Sequence, residues 1–202
     1  MGGHLPDTVN RVADLACVLL AAGSSRRMRG ADKLLEPVDG MPLLRRQALA
    51  LLAAGCGPVA VTLPPDRPAR VAALEGLTLQ ILPVPDAASG MSASLRRAAE
   101  WAAGRPLMVV PADMPEITAD DFTRIAKAFD GATPLRGSAE DGTPGHPVVF
   151  PAALLGSLAD LHGDEGARSV LKAHPAALLA LPGEHAVTDL DTPEAWAAWR
   201  AR

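Results

Sequence analysis

LACVLLAAGSSRRMRGADKLLEP spans residues 15–37 and joins an apolar run to a cluster of cations. Its first six residues predict a buried β-strand over 15–20. A turn of small residues follows, and then four cations lie within eight positions: Arg26, Arg27, Arg29 and Lys33. Backbone N–H groups in such a turn suit phosphate oxygens, and Arg and Lys add positive charge. The alternative is a solvated loop, because runs of charge usually face water.

Beyond this segment, predicted strands and helices alternate. The strands cover 15–20, 58–63, 78–84 and 106–112, and the helices cover 42–54, 68–74, 91–103 and 118–129. Gly55 is placed to end the first helix, and Thr118 to begin the fourth. Because the strands are continuous apolar runs, they indicate a mostly parallel sheet with helices on both faces. The predicted fold class is therefore α/β, with three αβα layers around a Rossmann-like twisted sheet.

The regular alternation stops at residue 131. The predicted elements after it are a loop over 135–145, a strand over 146–151, helices over 152–160 and 167–174, an edge strand over 177–182, and a last helix from Thr192. This region is interpreted as an addition to the same domain. We therefore expect residues 1–202 to form a single domain, of which 1–13 are an N-terminal extension.

The composition excludes several classes of protein. Hydrophobic residues make up 49% of the chain and charged residues 21%, which is typical of a soluble globular protein. A pI near 5.7 argues against non-specific nucleic-acid binding, which requires a basic face. The longest apolar run, 48–54, is too short to span a membrane. Cys17 and Cys56 do not form a disulfide framework or a metal-ligand spacing, so the cytoplasm is the expected compartment.

Two better-known phosphate loops do not match the segment after the first strand. The dinucleotide fingerprint needs three spaced glycines that open a helix, and this loop has only Gly23 and Gly30. The NTPase loop needs Gly-Lys-Ser/Thr, and here Asp32 precedes Lys33 and Leu34 follows it. The segment therefore does not predict a nicotinamide oxidoreductase or a P-loop enzyme.

In open parallel sheets, ligands bind at the carboxyl ends of the strands. The segments at these ends are GSSRRMRGADK after the first predicted strand, PDAASGMS after the third and DMP after the fourth. They are the candidates for a binding site.

The segment LAAGSSRRMRGADKLLEP (20–37) resembles the signature loop of the MobA-like nucleotidyltransferases, specifically the molybdenum cofactor cytidylyltransferase branch. Motifs similar to later ones of that family follow in the same order: GMSASL (90–95), PADMP (111–115), GHPVVF (145–150), GDEGAR (163–168) and DLDTPEAW (189–196). Ala22 favours the cytidylyl branch, because guanylyl relatives usually have Gly there. Arg29 departs from the pattern, because many relatives have a small residue at that position. The resemblance implies a fold of the nucleotide-diphospho-sugar transferase type.

The resemblance also implies that the first loop holds a nucleoside triphosphate, CTP or alternatively GTP. The implied nucleotide contacts are the backbone of Leu20, Ala21, Ala22 and Gly23, the cations Arg27 and Lys33 at the phosphates, and Asp86, Gly90 and Ser92 at the base and ribose. Ser92 is alternatively a helix cap. Arg27, Lys33 and Asp113 are the implied catalytic residues.

Mg²⁺ is the cofactor that the resemblance implies, held by Asp113 and Asp191. Mg²⁺ takes oxygen ligands and keeps several waters, so a carboxylate near the phosphates suits it. Each residue has another interpretation: Asp113 as a helix cap, and Asp191 as an acid just before a helix that has Pro193 at its first position. Asp189 is a weaker candidate for the same role.

On the acceptor side, the resemblance implies that His146, Gly166 and Arg168 contact the pterin-containing substrate, molybdopterin. A lone His is more often structural, and GDEGAR is equally a turn before a helix. The implied reaction transfers CMP from CTP to the terminal phosphate of molybdopterin and releases pyrophosphate without a protein nucleophile. A client molybdoenzyme is a further implied partner. The open alternatives are GTP as donor, a sugar phosphate or another small phosphate as acceptor, and a non-catalytic carrier of the cofactor.

Overall fold

A seven-stranded β-sheet runs through the centre of the computed structural model, which describes residues 14–163 and 165–202. The strands are β1 (Ala16–Leu20), β2 (Pro37–Val38), β3 (Met41–Pro42), β4 (Val59–Leu63), β5 (Gln80–Pro83), β6 (Leu107–Pro111), β7 (Leu135–Ser138), β8 (Pro144–Phe150) and β9 (Ala177–Ala180). The helices are α1 (Leu43–Ala54), α2 (Pro68–Ala73), α3 (Met91–Ala102), α4 (Ala119–Ala128), α5 (Leu155–Ala159), α6 (Arg168–Ala173) and α7 (Pro193–Arg200). The N-terminal extension expected over 1–13 lies outside the described residues.

The order of strands across the sheet is β5–β4–β1–β6–β8–β7–β9. Strands β5, β4, β1 and β6 are parallel, whereas β8 is antiparallel to both of its neighbours, and β9 is parallel to β7. Strand β1 lies in the middle of the parallel half, where Val18 is opposite Ala60 on one side and Val109 on the other. The mostly parallel sheet confirms the predicted α/β fold class. Strands β2 and β3 form a separate hairpin that the sequence did not predict.

Helices cover both faces of this sheet, because successive side chains of a strand point to opposite faces. Leu19 of β1 belongs to a buried cluster with residues of α1 and α4. Val18 belongs to a second buried cluster, with residues of α3 and α5. The three-layer αβα arrangement follows from these two apolar clusters. Within the described residues, no helix combines the length and the apolar character that crossing a membrane requires.

Two helix boundaries confirm local sequence signals. Gly55 ends α1 in a left-handed conformation with φ of 62°, and its N–H donates to the carbonyl of Leu52. Thr118 begins α4 with a reciprocal capping box: its hydroxyl accepts from the N–H of Asp121, whose carboxylate accepts from the N–H of Thr118. Both ends are determined by residues within three positions of the boundary, so the sequence is sufficient to locate them.

The prediction of a loop over 135–145 is wrong. Its first residues form β7, and β8 begins at Pro144, inside the same segment. The sequence of β7, Leu-Arg-Gly-Ser, lacks the apolar run of a buried strand, but the strand pairs on both sides through its backbone. A Cβ on Gly137 would lie 2.4 Å from the carbonyl oxygen of His146, so this close approach requires glycine. The predicted edge strand is confirmed, because β9 lies at the edge beside β7.

Helix α7 brings the last part of the chain back to the loop that follows β1. Trp196 of α7 is buried in a cluster with Met28 and Leu43. The hydroxyl of Thr192 caps the helix by accepting from a backbone N–H in its first turn. As a result, Asp191 lies next to that loop although it is far from it in sequence.

Candidate active site

A cavity of about 460 Å³ lies at the carboxyl ends of the parallel strands. The lining residues are Leu20, Ala22, Gly23, Ser24, Arg26, Lys33, Leu34, Pro64, Asp66, Arg67, Ala87, Ala88, Gly90, Met91, Ser94, Pro111 and Asp113. They come from the segments that follow β1, β4, β5 and β6. Small-molecule sites have volumes of roughly 300–1,000 Å³, so the cavity has the size of a ligand site.

The loop after β1, residues 21–33, leaves several of its N–H groups available. Ser25 and Arg29 both adopt the left-handed conformation, with φ of 52° and 53°, and a short 3₁₀ turn lies between them. No acceptor among the described residues takes the N–H groups of residues 22–25. Unpaired backbone N–H groups at a cavity are suited to binding an anion.

Lys33 lies at the centre of the charged part of the site. Its ammonium group donates to Asp113, two residues after β6, and to Asp191, whose oxygen is 2.5 Å away. The Lys33 side chain is only 14% exposed. Burial would lower the pKa of Lys33, but the charges and hydrogen bonds of Asp113 and Asp191 raise it above its usual value. The amine is therefore protonated, and three residues that the sequence singled out lie together.

Arg27 reaches this cluster from the solvent side. Its guanidinium lies 2.8 Å from the second carboxylate oxygen of Asp191, and its side chain is 71% exposed. Arg27 does not line the cavity, whereas Arg26 does. The structure therefore puts Arg27 at the rim, next to Asp191, and identifies Arg26 as a cation of the wall that the sequence analysis did not select.

Five of the predicted nucleotide contacts line the cavity: Leu20, Ala22, Gly23, Lys33 and Gly90. Ala21 is instead buried behind the loop, and its N–H donates to the carbonyl oxygen of Thr62 at 3.1 Å. Whether these residues contact a nucleotide stays a prediction, but their position at one cavity is consistent with it.

Two predicted contacts to the base and ribose do not face the cavity. Ser92 is 0% exposed, and its hydroxyl donates to the carbonyl of Gly163 at 2.6 Å. The carboxylate of Asp86 pairs with Arg96 at 2.7 Å, and Asp86 is not a lining residue. Ser94 lines the cavity in place of Ser92, because residues two apart on an α-helix are rotated by about 200°.

His146 lies on β8, close enough to Asp113 for the two side chains to interact electrostatically. Burial, with a further contribution from the charge of Arg136, lowers its pKa to about 4, although the charge of Asp113 opposes this. Its Nδ1 is buried and has no hydrogen-bond partner among the described residues. The imidazole is therefore neutral at pH 7, and its buried Nδ1 makes no hydrogen bond within the described residues.

Gly166 lies in the connection that leads into α6, and Arg168 is the first residue of that helix. A Cβ on Gly166 would lie 3.6 Å from the sulfur of Met91, which lines the cavity. Arg168 is near Arg136, since its charge adds to the effect of burial in lowering the pKa of Arg136. In the described part of the chain, no carboxylate pairs with either arginine. The positive charges of these two arginines are therefore not balanced by a carboxylate within the described residues.

Arg70 is the most deeply buried charged residue that the sequence analysis missed. It lies on α2, is 0% exposed, and forms an ion pair with Asp32 at 2.7 Å. The available signal is that Arg70 is the charged member of the otherwise apolar helix PARVAA, opposite an acid in a cationic loop. Asp66 and Arg67, also missed, line the cavity just before α2.

The carboxylates of Asp113 and Asp191 fit Mg²⁺ chemically. The described residues contain no group of three or more His, Cys, Asp or Glu side chains arranged to hold a metal. Mg²⁺ is usually held by one or two carboxylates, with water and substrate phosphates completing its ligands, so two carboxylates suffice. Asp189 is close by: burial, followed by the charges of Asp113 and Asp191, raises its pKa. Lys33 forms ion pairs with both candidate ligands in this structure, and Arg27 also pairs with Asp191.

A doubly covered parallel sheet with an open N–H loop, cations and paired carboxylates at its strand ends defines a nucleotide-dependent transferase. The chain belongs to the family of the MobA-like NTP transferase domain, whose model matches residues 17–178. It is therefore a nucleotidyltransferase enzyme, as the motifs predicted.

Proteins similar to this chain carry more than one name. Molybdenum cofactor guanylyltransferase of Cereibacter sphaeroides is 32% identical over 185 residues, which cover 88% of this chain and 91% of that protein. Nicotine blue oxidoreductase of Paenarthrobacter nicotinovorans is 29% identical over 194 residues, which cover 90% of this chain and 95% of that protein. The crystal structure of Rv0371c from Mycobacterium tuberculosis H37Rv has a TM-score of 0.83 and 28% identity, and the match covers 95% of this chain and 99% of that one. A structure of Rv0371c in complex with manganese has a TM-score of 0.73 and 25% identity, and the match covers 91% of this chain and 96% of that one.

Proposed function

We propose that this protein transfers CMP from CTP to the terminal phosphate of molybdopterin, in a Mg²⁺-dependent reaction that releases pyrophosphate. The observation that carries the proposal is the contact of Lys33 with Asp113 and Asp191 at the cavity. A cation and two acids held together, next to a loop with free N–H groups, offer separate partners for phosphates and for a metal. The name of the Cereibacter sphaeroides relative supports molybdenum cofactor as the acceptor.

In the proposed reaction, a phosphate oxygen of molybdopterin forms a bond to the α-phosphorus of the nucleotide. The bond from that phosphorus to the bridging oxygen breaks, and pyrophosphate leaves with the electron pair. Lys33 turns from the carboxylates to the triphosphate and offsets its charge, and Arg27 adds positive charge from the rim of the cavity. Asp113 and Asp191 would hold Mg²⁺, which would supply positive charge at the phosphate oxygens. Positioning and charge stabilisation are sufficient for this chemistry, so no protein nucleophile is needed.

The acceptor side of the proposal is supported by His146, Arg136 and Arg168. The two arginines have no acidic partner among the described residues, so they suit the phosphate of the acceptor. The imidazole of His146 is neutral, and its Nδ1 has no hydrogen-bond partner in the described chain, so it suits a polar atom of the acceptor's ring once the acceptor reaches it. The manganese complex of Rv0371c supports a divalent cation as cofactor.

The choice between CTP and GTP as the nucleotide rests on different observations. Ala22 lines the cavity and carries a methyl group, which leaves less room than Gly and favours the smaller base of CTP. GTP is the second candidate, because the relative with 32% identity is named a guanylyltransferase.

The test is a pyrophosphate-release assay of the purified protein with Mg²⁺, molybdopterin and either CTP or GTP. We expect release that depends on the acceptor and is faster with CTP; faster release with GTP would establish the second candidate. Sugar phosphates serve as control acceptors. Binding of CTP without turnover would instead indicate a carrier, and reduction of nicotine blue by an added reduced nicotinamide nucleotide would indicate the redox activity named in one relative.

A further inference from the structure

Arg70 directs its whole hydrogen-bonding capacity at the loop after β1. Its side chain is 1% exposed. Nε and Nη2 donate to the two carboxylate oxygens of Asp32 at 2.7 and 2.9 Å, and Nη2 also donates to the hydroxyl of Ser25 at 3.1 Å. Nη1 donates to the carbonyl oxygens of Ala21 and Gly23 at 2.6 and 2.8 Å. These bonds use all five guanidinium N–H groups, so Arg70 has no donor left for a ligand.

These contacts determine how two peptide planes of the loop are oriented. In a trans peptide, the C=O of one residue and the N–H of the next point in opposite directions. Because Arg70 holds the carbonyls of Ala21 and Gly23, the N–H groups of Ala22 and Ser24 point away from its guanidinium. Ala22 and Ser24 line the cavity, and no acceptor among the described residues takes their N–H groups.

We propose that Arg70 is the positioning residue of the nucleotide loop: by holding the carbonyls of Ala21 and Gly23, it aims the N–H groups of Ala22 and Ser24 at the nucleotide's phosphates. The inference rests on the proposed function, since it takes the ligand of this loop to be a triphosphate. Arg70 itself does not touch the substrate. Its positive charge lies behind the loop and is balanced by Asp32.

Asp32 fixes the guanidinium in this orientation. Two parallel hydrogen bonds to one carboxylate allow little rotation of the guanidinium plane. Burial would raise the pKa of Asp32, but the hydrogen bonds and charge of Arg70, with smaller contributions from Leu34 and Ser25, bring it below its usual value. Asp32 therefore remains ionised. A lysine at position 70 would keep the charge but could not span the carboxylate and both carbonyls, because its donors come from a single nitrogen.

The experiment compares wild-type protein with Arg70→Lys and Arg70→Met. The measurements are the dissociation constants for Mg–CTP, Mg–GTP and inorganic tripolyphosphate, and the KM values for nucleotide and acceptor. We expect both variants to weaken triphosphate binding by about 10²-fold, as for a misplaced binding group. The loss is expected to be the same for both nucleotides and for tripolyphosphate, because the two N–H groups that Arg70 orients contact phosphate and not base. The KM for the acceptor is expected to stay unchanged.

Leu74→Ala is the matched control. Leu74 is buried just after α2, so its truncation lowers the melting temperature while the hydrogen bonds of Arg70 to the loop stay in place. We expect its nucleotide KM to equal that of the wild type, because a smaller folded fraction lowers apparent kcat and leaves KM unchanged. A wild-type nucleotide KM in folded Arg70→Lys would overturn the inference while the proposed function stands.

A second measurement uses only the wild type, in case the Arg70 variants do not fold. In ¹⁵N-labelled protein, we expect tripolyphosphate to shift the amide signals of Ala22 and Ser24 more than those of the rest of the loop. Absence of these shifts overturns the inference. Shifts at Ala22 and Ser24 in a protein that transfers no nucleotide to molybdopterin would support the inference and refute the proposed function.

Discussion

In the parallel half of the sheet (β5, β4, β1 and β6), the charged groups of the site follow the strand ends, whereas in the other half (β8, β7 and β9) they lie within the strands. Lys33 belongs to the loop after β1, and Asp113 comes two residues after β6. Arg136 lies on β7 and His146 on β8. A side chain beyond a strand end is exchanged without disturbing strand pairing, but a side chain within a strand also takes part in packing.

The two halves should therefore respond differently to substitution. We expect changes at the ends of the parallel strands to reduce turnover at nearly constant stability. We expect changes within β7 and β8 to reduce stability or acceptor binding. The four predictions below test this difference.

Replacement of Lys33 or Asp113 by Ala should have the largest effect. Each substitution removes a charged contact at the cavity, and loss of one such contact commonly costs about 10²–10³ in rate. Pyrophosphate release measures this, and thermal melting checks that the fold is intact. Arg29→Ala is the control, because Arg29 belongs to the same loop but pairs at the surface with Glu194. Near-normal release by Lys33→Ala or Asp113→Ala would contradict the assignment of the site.

Gly145→Ala should mainly reduce stability. An added Cβ would lie 1.9 Å from the carbonyl oxygen of Ala186, so the backbone of β8 must move. We expect a loss of about 2–4 kcal/mol in the free energy of unfolding, measured with urea. Gly156→Ala is the control: nothing lies within 4 Å of its added Cβ, and α5 should gain up to about 1 kcal/mol. Equal stability of the two variants would show that the close approach of Ala186 to Gly145 does not constrain β8.

His146 should make stability depend on pH. Its folded-state pKa of about 4 lies below the ordinary value of 6.5, so the unfolded chain binds an extra proton between these values. Stability is therefore lost as the pH falls from about 6.5 toward 4, by at most about 3 kcal/mol from this group. The measurement is the urea midpoint across this range. His146→Gln removes the group and should flatten the profile, and an unchanged slope would show that other groups cause it.

Arg27→Ala should have the smallest effect. Arg27 is largely exposed at the rim, and water and salt screen such a contact. We expect the KM for CTP to rise by about 10-fold or less, with an increase that shrinks at high salt. A loss as large as that of Lys33→Ala would show that Arg27 moves into the cavity during the reaction.

The sequence was sufficient for the parallel half, because its signals are local. The apolar run of β1, the C-cap Gly55 and the capping box of Thr118 each depend on neighbours in sequence. The joint position of Lys33, Asp113 and Asp191 was not derivable from local pattern and came from the motifs. The structure shows the contact that brings them together.

The sequence was insufficient where a role depends on distant backbone. Arg70 contacts the carbonyls of Ala21 and Gly23, and carbonyl groups leave no trace in the amino-acid pattern. Strand β7 is held by backbone pairing with β8, and its polar side chains do not form the apolar pattern from which a strand is predicted. Ser92 was selected for its residue type, but the rotation of α3 turns it toward Gly163.

The contact of Lys33 with Asp191 joins residues 158 positions apart in the chain. During synthesis, the apolar strands of the parallel half emerge from the ribosome long before residues 189–191. A nascent chain would thus fold the parallel half of its sheet first and acquire its second carboxylate only after residue 191 has emerged. Catalytic competence is accordingly expected to appear after the bulk of folding, and protein stalled before residue 189 should be compact but inactive.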